Sequence, residues 1–210
     1  MMDFYEVLEK RRTIRDFSTQ EVPEEVLERI LEAAFKAPTN DHLRQLEFVV
    51  IRGKENIIPI VRPLAGNIDS FTQKNVEALA GVMDEDEYAM FRDAMPKQQK
   101  MLVESGCLVL PFFFHAGCPL LEPTCLSSLN YFASAWAAIE NVLLAATAEG
   151  LACALHIPIE READYVKQMV NVPEGYEFPC FLAIGYPALD AHLPRQKQIR
   201  VKDRIHFNKW

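Results

Sequence analysis

The chain lacks the signatures of several common enzyme classes, and each absence narrows what it can be. No Gly-x-Gly-x-x-Gly opens a helix anywhere in its 210 residues, so a Rossmann nicotinamide site is not expected. No Ser/His/Asp set or paired-carboxylate signature is present, which leaves hydrolytic acid–base chemistry without candidates. The five cysteines, at 107, 118, 125, 153 and 180, contain no Cys-x-x-Cys pair, and their odd count leaves at least one unpaired in any intrachain scheme. Reduced thiols in a cytoplasmic protein fit that usage. His115, Cys118 and Cys125 share one short stretch with no second ligand pair elsewhere, so no metal is expected. Positive charge is in deficit as well. A net charge of -8 argues against broad affinity for nucleic acid or an anionic membrane, whose phosphates attract basic surfaces. Long apolar runs are missing: 108–114 is too short to cross a bilayer, and 133–148 is interrupted by Glu140 and Asn141. The opening Met1-Met2-Asp3-Phe4 has neither the basic nor the apolar region of a signal peptide. With 50% hydrophobic residues, the chain can bury one substantial core, and a single soluble domain over 1–210 is the expectation.

Against this acidic background the basic stretch Arg11-Arg12-Thr13-Ile14-Arg15-Asp16-Phe17 stands out. It follows a short amphipathic segment, Phe4 to Lys10, with Phe4, Val7 and Leu8 at helical spacing and Asp3 as N-cap. The β-branched Thr13 and Ile14 favour extended backbone, where Arg11, Thr13 and Arg15 share a face. Two guanidinium forks and a hydroxyl there would receive a phosphate or an anionic ring edge through charge-assisted bonds. A solvated basic turn is the commoner outcome for such residues.

The rest of the chain reads as alternating helices and strands. A helix is expected over 23–36, with Val26, Leu27, Ile30, Leu31 and Ala34 on one stripe, Pro23, Glu24 and Glu25 at its start and Pro38 beyond its end. Ala37 to Glu47 is an irregular loop before a strand at Phe48 to Ile51. Residues 54–100 are the least patterned, and the run Asp84-Glu85-Asp86-Glu87 reads as a solvated helix start. Cys107 to Phe114 is a buried strand despite Pro111. The longest helix lies between Ser127 and Glu149 and is apolar nearly all round, which calls for burial on more than one side. Leu151 to Leu155 alternates, Glu162 to Val170 is helical, Val172 to Tyr176 is a turn and Cys180 to Gly185 is a strand.

Arg11-Arg12-Thr13-Ile14-Arg15, the helix from Pro23, and Ala37-Pro38-Thr39-Asn40 leading into Phe48-Val49-Val50-Ile51 together resemble the nitroreductase family of FMN-dependent oxidoreductases. The likeness resumes from Lys100 to Trp210, where Val172-Pro173-Glu174-Gly175-Tyr176 and Gly185-Tyr186-Pro187 nearly reproduce family signatures. The resemblance implies an α+β fold of three layers, with a central, mostly antiparallel sheet flanked by helices. It also implies an intertwined homodimer with C-terminal strand exchange through Ile205 to Trp210, and a variable region at about 54–100 covering the cofactor. FMN would be held at its phosphate by Arg11, Thr13, Arg195 and Lys197, with Arg200 in reserve and Lys97 assisting by charge. Arg12 and Arg15 would lie towards the ribityl chain and pyrimidine side, Arg15 tuning the ring. Pro38, Thr39, Asn40 and His42 would reach the flavin from the neighbouring subunit, and the turn Pro158-Ile159-Glu160 would approach it through its backbone. The sequence departs from the family where His42, Arg44 and Gln45-Leu46 replace Asn, Gln and Pro-Trp, and where Arg161 replaces Gly. The implied activity is ping-pong transfer of hydride from NADH or NADPH, as transient reductant, to a small-molecule electron acceptor such as a nitroaromatic or quinone. Dehalogenation, ene reduction or flavin fragmentation on the same fold, and a flavin-binding dimeric protein without turnover, stay open as alternatives.

Overall fold

Alternation of side chains along the strands sets the architecture. The computed structural model describes residues 2–64, 76–115, 125–159, 161–196 and 198–210. In it β1 (Leu46–Arg52), β2 (Cys107–Phe114), β3 (Ala152–His156), β4 (Tyr176–Glu177) and β5 (Phe181–Gly185) make one antiparallel sheet of order β1-β2-β5-β3, with β4 paired to the far end of β2. Cys107, Val109 and Phe113 of β2, with Leu182 and Ile184 of β5, face one core. Leu108, Leu110 and Phe112, with Phe181 and Ala183, face another. Because successive strand residues point to opposite sides, a sheet apolar at every position needs cover on both faces.

Helices supply it. Along the chain these are α1 (Phe4–Lys10), α2 (Glu24–Ala34), α3 (Lys54–Ile60), α4 (Glu85–Ala94), α5 (Gln98–Glu104), α6 (Asn130–Ala148) and α7 (Glu162–Met169). Leu27, Ile30 and Ala34 of α2 and Ala135, Ile139 and Val142 of α6 fill the first core; Ile57 and Ile60 of α3, Met101 and Leu102 of α5 and Val166 of α7 fill the second. The three-layered α+β arrangement is thus the one the sequence implies.

Local signals place most boundaries. Asp3 starts α1 by accepting hydrogen bonds from the Tyr5 N–H at 2.9 Å and the Glu6 N–H at 3.0 Å. Asp84 does the same for α4, accepting from the Glu87 N–H at 3.0 Å, so the acidic run is a helix start. Pro111 is tolerated inside β2 for a reason of register. The Phe114 N–H donates to Gln45 O, which turns the even-numbered N–H groups towards β1 and the odd ones away. On that far side β5 pairs only with Cys107 to Val109 and β4 only with Phe113 and Phe114, so the missing Pro111 donor falls in the gap between them.

One segment departs from expectation. The turn expected through Tyr176 ends in the two-residue β4, whose pairing is dictated by β2 and not by local pattern. The chain end at 205–210 is exposed and follows a short 3-10 turn, Val201–Arg204; among the described residues it pairs with no strand, and Trp210 stacks on His206 at 4.6 Å. No helix among the described residues is long and apolar enough to cross a membrane.

Candidate functional site

The basic stretch is extended, as its β-branched residues favour, and it lies along the β3 edge of the sheet. Thr13 bridges in parallel to Cys153 of β3, and Phe17 bridges in antiparallel fashion to Pro187 beyond β5. The Ile14 N–H donates to Cys153 O at 3.1 Å, the Ser18 N–H to Tyr186 O at 2.8 Å, and the Ala188 N–H to Asp16 O at 3.0 Å. Residues 11–18 are therefore an arm stitched along β3 and the end of β5. Its seat under Phe17 depends on Gly185, where an added Cβ would lie 2.0 Å from Ser105 O and 3.0 Å from the Phe17 ring.

The arm's arginines have different surroundings. Arg11 is half-buried, its Nε 3.9 Å from Glu140 of α6. Arg12 turns back on α1, its Nη1 donating to Glu9 O at 2.6 Å and Arg11 O at 2.7 Å, so it satisfies carbonyls at that helix's end. Arg15 is the unusual one: its Nε is buried with no hydrogen-bond partner among the described residues. Burial draws its pKa below the ordinary 12.5, with the charges of Asp93 and Asp16 opposing. A half-buried guanidinium whose buried Nε donor is unused fits an anionic or carbonyl-rich group.

Around Arg15 lies a cluster of charge. Lys97 Nζ is 2.8 Å from Asp16 Oδ2 and 2.8 Å from Asp93 Oδ1, while His192 donates its backbone N–H to Asp16 Oδ2 at 3.3 Å and sets Nδ1 3.3 Å from Asp93 Oδ2. Burial works against the Asp16 carboxylate, but the Lys97 hydrogen bond, the His192 N–H and the charges of Lys97 and Lys100 hold it below its ordinary 3.8. Burial likewise disfavours the Lys97 ammonium, yet Asp16 and Asp93 hold it above 10.5. A depressed carboxyl stabilises the fold above its unfolded value and loses that contribution as pH falls; a raised ammonium does so below its own value and loses it as pH rises. The pair is thus complete from about pH 4 to about pH 10. Asp16→Asn is expected to lower stability by about 1 kcal/mol at pH 5 to 9, with the gap from wild type closing towards pH 2; thermal melts across that range check it, and a gap that persists in acid counts against the ionic pair.

The other expected residues sit as follows. Arg195 is exposed, 4.0 Å from Asp86, and lines a surface hollow with Arg12, Lys10 and Glu9. Arg200 pairs with Asp203 at 2.7 Å. Pro38, Thr39, Asn40 and His42 belong to a loop fastened to α6: the Asn40 N–H donates to Ser134 Oγ at 2.8 Å, and Asn130 Nδ2 donates to Asn40 Oδ1 at 3.3 Å. Asp41, His42 and Arg44 all adopt left-handed backbone, with φ of 49°, 56° and 48°. Three non-glycine residues in that region within four positions hold strain of the kind that functional loops carry. Pro158 is half-buried and Ile159 exposed, its N–H donating to Glu162 Oε2 at 3.0 Å. Glu160 and Lys197 lie outside the described residues, as does Cys118.

The structure therefore holds Lys97 on the carboxylates Asp16 and Asp93, whose charges also act on Arg15, lines one hollow with Arg12 and Arg195, and fastens the 38–44 loop to α6. Sequence reading passed over Asp93, Asp16, His192 and the pair His156–Glu162, in which Nε2 and Oε2 are 2.9 Å apart while His156 Nδ1 faces Gln98 Oε1 at 3.0 Å. One local signal was available: Asp93 and Lys97 stand four apart, the spacing of a helical ion pair. The buried thiols are inert, Cys107 pushed up to about 11 and Cys153 to about 12 by burial.

Comparison with known proteins adds to this geometry. The model of the Nitroreductase family matches residues 8–186. A protein of Methanothermobacter thermautotrophicus with the provisional name NADH dehydrogenase/NAD(P)H nitroreductase is 27% identical over the whole of this chain and 88% of its own length. The iodotyrosine deiodinase of Nematostella vectensis is 25% identical over 91% of this chain and 70% of its own. A crystal structure of oxidized iodotyrosine deiodinase bound to FMN and 3-iodo-L-tyrosine superposes with a TM-score of 0.71 at 21% identity, covering 99% of this chain and all of that one.

Proposed function

Since the chain belongs to the nitroreductase family, we propose that it is an FMN-dependent NAD(P)H oxidoreductase that reduces an electrophilic acceptor such as a nitroaromatic or quinone. The observation that carries this reading is the half-buried Arg15 guanidinium, with a buried and unused Nε donor, on an arm fixed to the sheet edge. The names of the relatives support the cofactor and the reductant. We read residues 1–210 as one FMN-binding domain, with about 54–100 as the variable cover.

FMN, when bound, accepts hydride from the nicotinamide and hands it on. The chain holds and biases it. Arg11 and Thr13 bind the phosphate with Arg195 and Lys197, while Arg12, expected towards the ribityl chain, is turned back on the Glu9 and Arg11 carbonyls and stiffens the arm. Arg15 sets a fixed positive charge against the pyrimidine side, which stabilises negative charge arriving there. Lys97 acts at one remove, because its ammonium is already held by Asp16 and Asp93. The turn Pro158-Ile159-Glu160 approaches the ring through its backbone. Pro38, Thr39, Asn40 and His42 act from a second copy. Exposed aromatic residues on α1 and at the chain end, Tyr5 at 77%, Phe207 at 84% and Trp210 fully, support a homodimer with exchanged C-terminal strands. A cytoplasmic setting fits a nicotinamide reductant.

A second reading, reductive dehalogenation, is favoured by the deiodinase relative matching 91% of the chain. Purified protein is expected to be yellow, or to become so with added FMN, and to bleach when NADH or NADPH is added without oxygen. Anaerobic turnover of nitroaromatics, quinones and halogenated phenols then separates the two readings. A yellow protein that resists reduction is a binder without turnover, and one that takes no FMN defeats both flavin readings.

A further inference from the structure

We infer that Asp16 is a positioning residue for the phosphate end of the flavin: it fixes the segment 188–192 at both ends and so seats Arg195, of the C-terminal tail, beside the N-terminal arm. The inference rests on the flavin reading proposed above, and it names what brings two remote basic stretches to one anion.

Its starting point is a segment without regular structure of its own. From Ala188 to Gln196 the chain forms neither helix nor strand. Arg195 nevertheless shares a hollow with Glu9, Lys10 and Arg12, which lie near the other end of the chain. The partners of the Arg195 side chain do not account for this. It is exposed, and Asp86 at 4.0 Å stands at the limit of an ion pair, so the residue is placed through its main chain.

Asp16 holds that main chain twice. The pairing of the arm with the end of β5 runs from the Ser18 N–H on Tyr186 O to the Ala188 N–H on Asp16 O at 3.0 Å. The chain then turns, the Ala191 N–H donating to Ala188 O at 3.1 Å, and His192 comes back to the same residue, its N–H donating to Asp16 Oδ2 at 3.3 Å. Asp16 thus closes the loop 188–192 across its ends, its carbonyl and its carboxylate serving as separate acceptors. The carboxylate is itself fixed. Lys97 Nζ lies 2.8 Å from the same Oδ2 and 2.8 Å from Asp93 Oδ1, while Asp93 Oδ2 meets His192 Nδ1 at 3.3 Å. With Lys97 balancing its charge, Asp16 offers the tail a rigid acceptor. Only Leu193 and Pro194 separate His192 from Arg195, and the fixed φ of proline limits how far the guanidinium can stray. A guanidinium so restrained loses less freedom on meeting a phosphate than one on a loose tail. Asp16 therefore favours binding of the phosphate, not of the ring.

The test compares FMN with riboflavin, which lacks only the terminal phosphate, by fluorescence titration of the whole chain. Asp16→Ala is expected to lower FMN affinity about tenfold, the share of one charge-assisted hydrogen bond, and to leave riboflavin affinity where it was. Asp16→Asn keeps an oxygen acceptor for the His192 N–H and is expected to retain the wild-type ratio of the two affinities. Should Asp16→Ala fold poorly, a glycine inserted between His192 and Leu193 leaves the Asp16 bonds in place, displaces Arg195 along the tail and is expected to cost the same selectivity. Equal losses for the two ligands in Asp16→Ala mark a structural role alone, and an unmoved FMN affinity separates the tail from the phosphate. An Asp16→Asn ratio that moves with that of Asp16→Ala marks an effect of charge. Each of these results overturns the inference and leaves the flavin reading intact. Wild-type protein that takes neither ligand removes the reading and the inference together.

Discussion

In the Arg15→Ala variant FMN binding is expected to weaken by about one to two orders of magnitude. The size follows from the hydrogen bonds of a charged donor, each worth about 1.5–3 kcal/mol, at about 1.4 kcal/mol per factor of ten. Arg15 has nothing else to do with its Nε, which is buried and unpartnered among the described residues, so its removal costs the apo protein little. Loss of affinity with an almost unchanged apo melting temperature is therefore the signature. Arg15→Lys should recover only part of it, because an ammonium keeps the charge and loses the fork. Arg11→Ala should also weaken FMN strongly, with the oligomeric state of the wild type retained. Arg12→Ala should do less, since that guanidinium is already spent on the Glu9 and Arg11 carbonyls. Fluorescence titration of the four variants gives the order. Unchanged affinity in Arg15→Ala would take the ring edge away from this residue.

The largest effect on stability is expected from Gly185→Ala. The new Cβ would fall 2.0 Å from Ser105 O and 2.9 Å from its carbonyl carbon, well inside van der Waals contact. That carbonyl cannot withdraw easily. Ser105 is fully buried, its hydroxyl is 3.0 Å from both Leu102 O and Cys107 O, and the next residue, Gly106, turns the chain with φ +76°. Something in the backbone must move, at a cost of about 3 kcal/mol or more. In a chain of this size each kcal/mol shifts the melting temperature by about 2–4 °C. A fall of about 6–12 °C in a circular dichroism melt is expected. Gly150→Ala is the control, because nothing lies within 4 Å of its added Cβ and only its left-handed backbone is strained. Equal losses at the two sites would count against the close contact. Phe17 sits over Gly185, so the same change should loosen the arm and lower FMN affinity as well.

What the sequence disclosed, and what it withheld, divides along the range of the forces involved. Asp3, Pro23 and Asp84 mark helix starts through hydrogen bonds or φ preferences spanning a few residues, and all three stand where they were expected. The β2 limits were legible because an unbroken apolar run has no other stable place than a sheet covered on both sides. The brevity of β4 was not, since two residues pair there only because β2 outruns β5. Nor was the left-handed backbone at Asp41, His42 and Arg44, which no glycine announces. In the site, the residue types of the arm pointed to an anion. Their different settings did not show, because they are decided by Glu140, Asp93 and the Glu9 carbonyl, which lie on separate elements. Asp93 itself read as one acidic residue among many on an acidic chain.

The stitching of residues 11–18 to Cys153, Tyr186 and Pro187 also bears on how the molecule is made. The basic segment leaves the ribosome some 140 to 170 positions ahead of its pairing partners. Contacts so remote in the chain form late and slowly, so a nascent polypeptide must carry the arm unpaired until β3 emerges, and β3 in turn lacks its inner neighbour until β5 does. Chains truncated before Phe181 would leave that inner edge of β3 uncovered and should be prone to cluster with one another.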